Sequence, residues 1–164
     1  MRASQTYLVR HAKAEDRHSF GGADFARPLA PAGVRQAELL GEQLGSCDPR
    51  PELVLSSPAR RCIETVGPLA ARLGTPVEVA DWLAEGADAA QALRKLRELA
   101  VPAVACTHGD VIWGVLEQLA GEGVDLGKRP AAAKGSVWVL GSSPLVARYL
   151  EPPASSPVSH GAAC

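Results

Sequence analysis

The sequence has 164 residues, about the length of one globular domain, and its net charge of −1 and pI near 6.4 give no overall attraction to nucleic acid or to an anionic membrane. The composition, 46% hydrophobic and 21% charged, is that of a chain that buries a core without needing disulfides or metals. No apolar run is long enough to cross a bilayer or to serve as a signal peptide core. We therefore expect a cytoplasmic protein, with no membrane or nucleic acid partner, whose anion-binding sites are built locally.

The four cysteines are widely scattered and show none of the spacings typical of zinc sites or redox motifs. We expect them to be free thiols. Cys106 and His108 are close in sequence, but two ligand types without a third cluster do not make a metal site. The sequence therefore predicts neither a metal nor any other cofactor.

Short β-like runs alternate with stretches of helical spacing along the chain. In chain order the predicted elements are a strand at 6–9, a helix at 31–44, a strand at 52–55, a helix from 57 to 73, a strand at 75–79, a loop at 81–88, a helix at 89–100, a strand at 102–107, a helix at 111–119, and strands at 136–140 and 145–151. Pro31 suits a first helical turn, Ser57 offers a capping hydroxyl, and Gly45 and Gly74 suit helix ends.

The alternation of strands and helices predicts an α/β fold, a three-layer α/β/α sandwich whose central sheet is mostly parallel. The last two strands are expected to pair as a hairpin across residues 141–144. One domain would span residues 1–151. Residues 152–164 are rich in Pro, Ser and Ala, which predicts a disordered C-terminal tail.

Histidines and arginines follow three of the predicted strands. Arg10 and His11 come directly after the first strand, Arg61 lies one turn into the helix after the second, and His108 follows the strand at 102–107. In parallel α/β sheets, ligands bind beyond the carboxyl ends of the strands. Each residue alone has an ordinary structural explanation, but together they favour one shared site.

These residue types suit a phosphoryl group. The guanidinium fork of arginine matches phosphoryl oxygens and keeps its charge, and the amino end of the helix that begins near Ser57 adds a further positive potential. A neutral imidazole can accept a phosphoryl group, and a second, protonated histidine could stabilise the charge of the transition state. No step of such chemistry requires a metal.

Four motifs, in order along the chain, resemble those of the histidine phosphatase superfamily, which has the phosphoglycerate mutase-like fold. The first is Leu8-Val9-Arg10-His11-Ala12, which matches L-V-R-H-G, and the second is Arg27-Pro28-Leu29 followed by Gly33 and Gln36-Ala37. The third runs from Ser56-Ser57-Pro58 through Arg61 to Thr65 and matches S-S-P-x-x-R-x-x-x-T. The fourth is Thr107-His108-Gly109. The resemblance spans Tyr7 to about Leu150, nearly the whole chain. The resemblance implies that His11 is the nucleophile, that Arg10 and Arg61 bind the phosphoryl oxygens, and that His108 completes the pocket.

The family often places an acidic proton donor after the second motif. The resemblance makes Glu85 the best-placed candidate, although an exposed loop carboxylate explains it equally simply. Asp110 is the weaker alternative, since it is expected to cap its helix. Two residues depart from the family pattern: Ala12 stands where glycine is usual, and Ala30 replaces a usual Thr or Ser.

The chain is too short to carry the insertions that cover the active site in mutases and larger acid phosphatases. It is most similar to short phosphohistidine phosphatases of the SixA type and, in the segment 131–140, to phosphatase domains fused to Nudix hydrolases. The expected function is hydrolysis of a phosphomonoester, a nucleotide or a phosphohistidine protein through a phosphohistidine on His11. A phosphoglycerate-type mutase and a non-catalytic phosphate-binding module are the alternatives.

Overall fold

The computed structural model describes residues 4–141 and 146–154, and all elements named below lie in these ranges. In chain order they are β1 (Thr6–Arg10), α1 (Pro31–Gly45), β2 (Leu53–Ser56), α2 (Arg60–Leu73), β3 (Val77–Val79), α3 (Ala89–Arg97), β4 (Ala103–Thr107), α4 (Gly109–Gly121), β5 (Val137–Leu140) and β6 (Ala147–Leu150). Short 3-10 turns occupy Asp24–Ala26 and Asp81–Leu83.

The strands form one sheet in the order β3-β2-β4-β1-β5-β6 over the described residues. The pairs β2–β3, β2–β4 and β1–β4 are parallel, whereas β1–β5 and β5–β6 are antiparallel. The mostly parallel sheet is therefore confirmed, and so is the antiparallel pairing of the last two strands. β1 and β4, which carry residues of the predicted site, are direct neighbours at the centre.

The sheet is covered on both faces, because alternate strand residues point to opposite sides. On one face, Tyr7 and Val104 pack in a cluster with Leu40 of α1 and Leu69 of α2. On the other face, Leu8 packs in a second cluster with residues of the other two helices, including Leu93, Leu96, Ile112 and Leu116. The expected three-layer α/β/α sandwich is confirmed.

Two predicted helix limits are wrong by three residues. α2 begins at Arg60, with Ala59 at the N-cap and no side-chain cap, because the Ser57 hydroxyl lies beside His108 instead. α3 ends at Arg97 rather than residue 100. Pro102 disfavours helical backbone in the residue before it, and the intervening residues bring the chain to β4.

Two of the cysteines agree with the prediction and one does not. Cys62 and Cys106 are free and buried, whereas Cys47 is disulfide-bonded, so the expectation of four free thiols is wrong at Cys47. Spacing along a chain identifies metal-binding clusters, but it does not show which distant residues meet in the fold.

Parts of the prediction fall outside the described residues. They include residues 142–145, most of the expected hairpin loop and the start of the last predicted strand, and residues 155–164 of the expected tail. Among the helices that the structure describes, none has the length and apolar character needed to cross a membrane.

Gly33 brings the first turn of α1 directly against the loop that follows His11. A Cβ on Gly33 would lie 1.9 Å from the carbonyl oxygen of Lys13. The same oxygen accepts a hydrogen bond of 3.0 Å from the backbone N–H of Ala30. The glycine thus lets the helix set the path of the loop next to His11.

Replacing Gly33 with alanine should lower the free energy of unfolding by about 1–3 kcal/mol, because the new methyl group overlaps backbone atoms that cannot rotate away. Gly67→Ala is the matched control, since no atom lies within 4 Å of its Cβ position in α2. Alanine favours helix over glycine, so this control should keep or raise the stability. Urea unfolding followed by circular dichroism measures both, and equal stability of the Gly33 variant and wild type would contradict the packing described.

Candidate active site

The carboxyl ends of β1 and β4 bring two histidines together. Arg10 and Thr107 are paired in the parallel ladder, and the backbone N–H of His11 donates to the carbonyl of Thr107 at 3.1 Å. The rings of His11 and His108 are 5.4 Å apart between centroids and nearly perpendicular, at 62°. The structure places Arg10, His11, Arg61 and His108 at the same edge, as the sequence predicted.

His11 is held as a neutral ring with one free nitrogen. Its Nδ1 lies 2.8 Å from the carbonyl oxygen of Ala12. Because a carbonyl oxygen only accepts, Nδ1 carries the hydrogen and Nε2 keeps its lone pair. Burial lowers the pKa of His11 to about 3. The hydrogen bond to Ala12 raises this pKa, whereas electrostatic interactions with His108, Arg61 and Arg10 lower it further. His11 is therefore neutral at pH 7, with a lone pair on Nε2.

Thr65 fixes the backbone that orients His11. Its hydroxyl oxygen accepts a hydrogen bond of 3.0 Å from the backbone N–H of Ala12 and donates to the carbonyl of Arg61 at 2.6 Å. Thr65 is buried in α2, one turn after Arg61. A single hydroxyl thus ties the loop after β1 to the helix that carries an arginine of the site.

The Arg61 guanidinium is buried beside His108, with only 1% of the residue exposed. Its two terminal nitrogens donate to the backbone carbonyl of Asp24 at 3.0 Å and to the Glu85 carboxylate at 3.0 Å, and the Asp24 carboxylate lies 3.2 Å away. Nδ1 of His108 lies 3.4 Å from the same guanidinium. These contacts fix the direction of Arg61 and offset its charge in part.

Arg60, the neighbouring arginine, faces away from the site. Its side chain is 58% exposed and forms an ion pair of 2.6 Å with Glu64. The other oxygen of Glu64 accepts from the backbone N–H of Leu29 at 2.8 Å. The alignment that assigns Arg61 rather than Arg60 to the site therefore agrees with the geometry.

Arg10 reaches the site through space left by a glycine. A Cβ on Gly109, at the start of α4, would lie 2.9 Å from the Arg10 guanidinium carbon. One terminal nitrogen of Arg10 donates to the carbonyl of Ala132. The Nε–H groups of Arg10 and Arg61 are buried without a hydrogen-bond partner among the described residues. Unpaired donors cost free energy, and a bound anion would offset that cost.

His108 is fixed through its Nε2 atom, which lies 2.8 Å from the hydroxyl oxygen of Ser57. That oxygen also accepts from the backbone N–H of Ala59 at 3.2 Å. The thiol of Cys62 is 3.5 Å from the same nitrogen. With Arg61 at Nδ1, both ring nitrogens have partners, so His108 forms a rigid wall of the pocket.

Glu85 lies at the mouth of this pocket, with 48% of its side chain exposed. One carboxylate oxygen contacts Arg61 and the other lies 3.4 Å from Arg17.

Asp110 does not cap its helix as expected. Its carboxylate accepts a hydrogen bond of 2.7 Å from the backbone N–H of Gly86. Asp110 therefore holds the loop that presents Glu85.

Asp24 is a site residue that the sequence reasoning missed. Its carboxylate forms ion pairs with Arg17, Arg27 and Arg61. Desolvation raises the pKa of Asp24, but the hydrogen bond from Arg27 and the nearby arginine charges outweigh it, so the pKa lies below its usual value. An aspartate three residues before Arg27 was the available signal, but sequence spacing alone does not place a loop turn against α2.

The described residues contain no group of three or more His, Cys, Asp or Glu side chains arranged to hold a metal ion. The acidic residues at this edge, Asp24 and Glu85, contact arginines instead. The sequence-based expectation that catalysis needs no metal stays a prediction.

Fold and site together describe an α/β protein with a cationic pocket around a neutral histidine. Residues 6–87, half of the chain, match the family described as the histidine phosphatase superfamily (branch 1). The chain belongs to this superfamily.

The chain is 34% identical over 155 residues to the 8-oxo-(d)GTP phosphatase of Mycolicibacterium smegmatis, an alignment that covers 89% of this chain and 48% of that protein. It therefore spans about half the length of this relative. An Agrobacterium tumefaciens structure, described as a candidate phosphohistidine phosphatase SixA, superimposes with a TM-score of 0.74 at 26% identity and covers 93% of this chain and 100% of its own.

A protein histidine phosphatase SixA solved with tungstate has the same fold, with a TM-score of 0.70 at 20% identity over 90% of this chain and 94% of that one. These similarities confirm the expected SixA-like fold. The matched superfamily and the similar proteins are named as phosphatases.

Proposed function

We propose that this chain is a phosphatase that transfers a phosphoryl group from its substrate to Nε2 of His11 and then to water. The observation that carries the proposal is the Nδ1 hydrogen bond of His11 to the Ala12 carbonyl, which leaves the lone pair on Nε2 of a ring that feels the charges of Arg61 and Arg10. A non-catalytic phosphate-binding module would need the arginines but not a nucleophile prepared in this way.

In the first step, Arg10 and Arg61 bind the phosphoryl oxygens, where their unpaired Nε–H groups gain an acceptor. The Nε2 lone pair forms the N–P bond while the P–O bond to the leaving group breaks, and the electron pair of that bond leaves with the oxygen. His108, in contact with Arg61, closes the pocket around the phosphoryl group.

In the second step, water attacks phosphorus and the N–P bond breaks, which returns the electron pair to Nε2. We propose that Glu85 gives a proton to an alkoxide leaving group in the first step and takes one from water in the second. Its contact with Arg61 supports this role, because Arg61 is a proposed phosphoryl ligand. Asp110 is a poorer candidate because its carboxylate is engaged by the Gly86 backbone.

Water is the proposed acceptor because the mouth of the pocket is open. Glu85 and Arg17 at its rim are 48% and 59% exposed. A mutase returns the phosphoryl group to its substrate, which requires a cover that keeps water out. The open rim favours the phosphatase over the mutase.

We propose a nucleotide as the substrate, with a phosphohistidine protein as the second candidate. The relative named as an 8-oxo-(d)GTP phosphatase supports the nucleotide, since its alignment extends over 89% of the chain. The structural neighbour described as a SixA phosphohistidine phosphatase supports the second candidate. Both substrates present a terminal phosphoryl group to the same nucleophile.

His11→Ala should reduce hydrolysis of an aryl phosphate by roughly 10³-fold or more, because the acceptor of the phosphoryl group is removed. His18→Ala is the matched control, since His18 is exposed, and it should keep the wild-type rate. Steady-state release of the phenol measures both variants. A His11 variant as active as wild type would overturn the proposed function.

Glu85→Gln should slow hydrolysis of an alkyl phosphate by about 10²-fold, within the range of general acid catalysis, because the departing alkoxide needs a proton. The effect on an aryl phosphate should be much smaller, since a phenolate leaves without that help. Steady-state rates on the two substrates give the comparison. Equal losses on both would assign Glu85 a structural role, and no loss on either would remove it from the mechanism.

A further inference from the structure

Two lysines lie on loops that meet beside His11. Lys13 is two residues after His11, and Lys134 lies in the loop before β5; both are exposed. The side chain of Gln36 joins the two loops: its oxygen accepts from the backbone N–H of Lys13 at 3.0 Å, and its amide nitrogen donates to the carbonyl of Lys134 at 3.4 Å. One side chain therefore holds the backbones of the two lysines near each other.

The loop that carries Lys134 is hydrogen-bonded to Arg10 and His11. The backbone N–H of Gly135, directly after Lys134, donates to the carbonyls of Arg10 and His11 at 3.1 and 3.2 Å. Two residues before Lys134, the carbonyl of Ala132 accepts from the Arg10 guanidinium. Lys134 thus lies between two residues that are bonded to the strand end of the active site.

The two lysines differ from three of the arginines at this edge. Arg17, Arg27 and Arg61 form ion pairs with Asp24 or Glu85. Lys13 and Lys134 form none among the residues that the structure describes.

The positive charges around Lys134 are close enough to act on it. Burial lowers its pKa, and the charges of other cations lower it further; these are Arg10, Arg27, Lys13 and Arg17. Gathering like charges costs free energy, and the chain as a whole has a net charge of only −1. Such local crowding is typical of a site that binds an anion.

We propose that Lys13 and Lys134 form a second phosphate subsite beside the one at His11, and that the substrate is a phosphoanhydride such as a nucleoside diphosphate. This inference rests on the proposed function, because it takes the scissile phosphoryl group to lie against His11. Lysine binds phosphate as a point charge and needs no fixed fork geometry. Two ammonium groups match the charge of a second phosphoryl group.

A phosphoanhydride uses these lysines better than a simple monoester does. Nε2 of His11 bonds to the terminal phosphorus, the bridging P–O bond breaks, and its electron pair leaves on the bridging oxygen of the second phosphate. That leaving group departs as an anion and needs no proton. Lys13 and Lys134 stabilise the charge that develops on it. In a monoester, a neutral carbon occupies this position.

The test compares two ligands that cannot be hydrolysed, methylenediphosphonate and methylphosphonate, by calorimetric titration of the wild-type protein. They share the first phosphonate and differ in whether a second one follows. Wild type should bind the diphosphonate about tenfold more tightly, as two charge-assisted contacts imply. In the double variant K13A/K134A this preference should be lost, and in K13R/K134R it should persist.

Lys95→Ala is the control, since Lys95 lies on α3 and pairs with Glu98, and it should keep the preference. A double alanine variant that still prefers the diphosphonate, a wild type without any preference, or no binding of the diphosphonate would each overturn the subsite. The proposed function is judged separately, by turnover of an aryl phosphate and of ADP. A protein that shows the preference but hydrolyses neither substrate would retain the subsite and lose the proposed function.

Discussion

The arrangement of the site depends on one hydrogen bond, from Nδ1 of His11 to the carbonyl of its own neighbour, Ala12. It decides which ring nitrogen carries the hydrogen and therefore which one keeps its lone pair. The other contacts around it hold the Ala12 backbone in place: Thr65 binds its N–H, and Gly33 allows α1 to support the next residue. The carbonyl can orient the ring only because these contacts fix its position.

A second constraint is the charge of the pocket. Arg61 is almost fully buried, which a protein tolerates only when the charge has partners. Asp24 and Glu85 supply them at the rim, while the Nε–H groups of Arg61 and Arg10 stay unpaired among the described residues. The pocket is therefore stable in the folded chain and still has donors for an anion. The cations are concentrated at this pocket, although the whole chain has a net charge of only −1.

The layers of the fold and four of the site residues could be predicted because both follow from strand order. Residues directly after buried strands, such as His11 and His108, must lie at the carboxyl edge of a parallel sheet. Contacts between loops could not be predicted in this way. Asp24 reaches Arg61 from a 3-10 turn, Ser57 binds His108 instead of capping α2, and Asp110 binds the loop of Glu85. Each contact depends on distances that exist only after the helices have packed.

The central claim is that His11 is a neutral ring with hydrogen on Nδ1 and a free Nε2. Its pKa of about 3 in the folded protein lies below the ordinary 6.5, so the unfolded chain binds a proton that the folded one does not. As pH falls from 6.5 towards 3, this difference removes folding stability, and His11 in the folded protein stays neutral above about pH 3. Nitrogen NMR of the histidine-labelled protein, with His11→Ala to assign the signals, measures this directly. The account predicts a protonated Nδ1 and an unprotonated Nε2 from pH 7 to about 5. A His11 ring that titrates near 6.5, or that carries its hydrogen on Nε2, would contradict it.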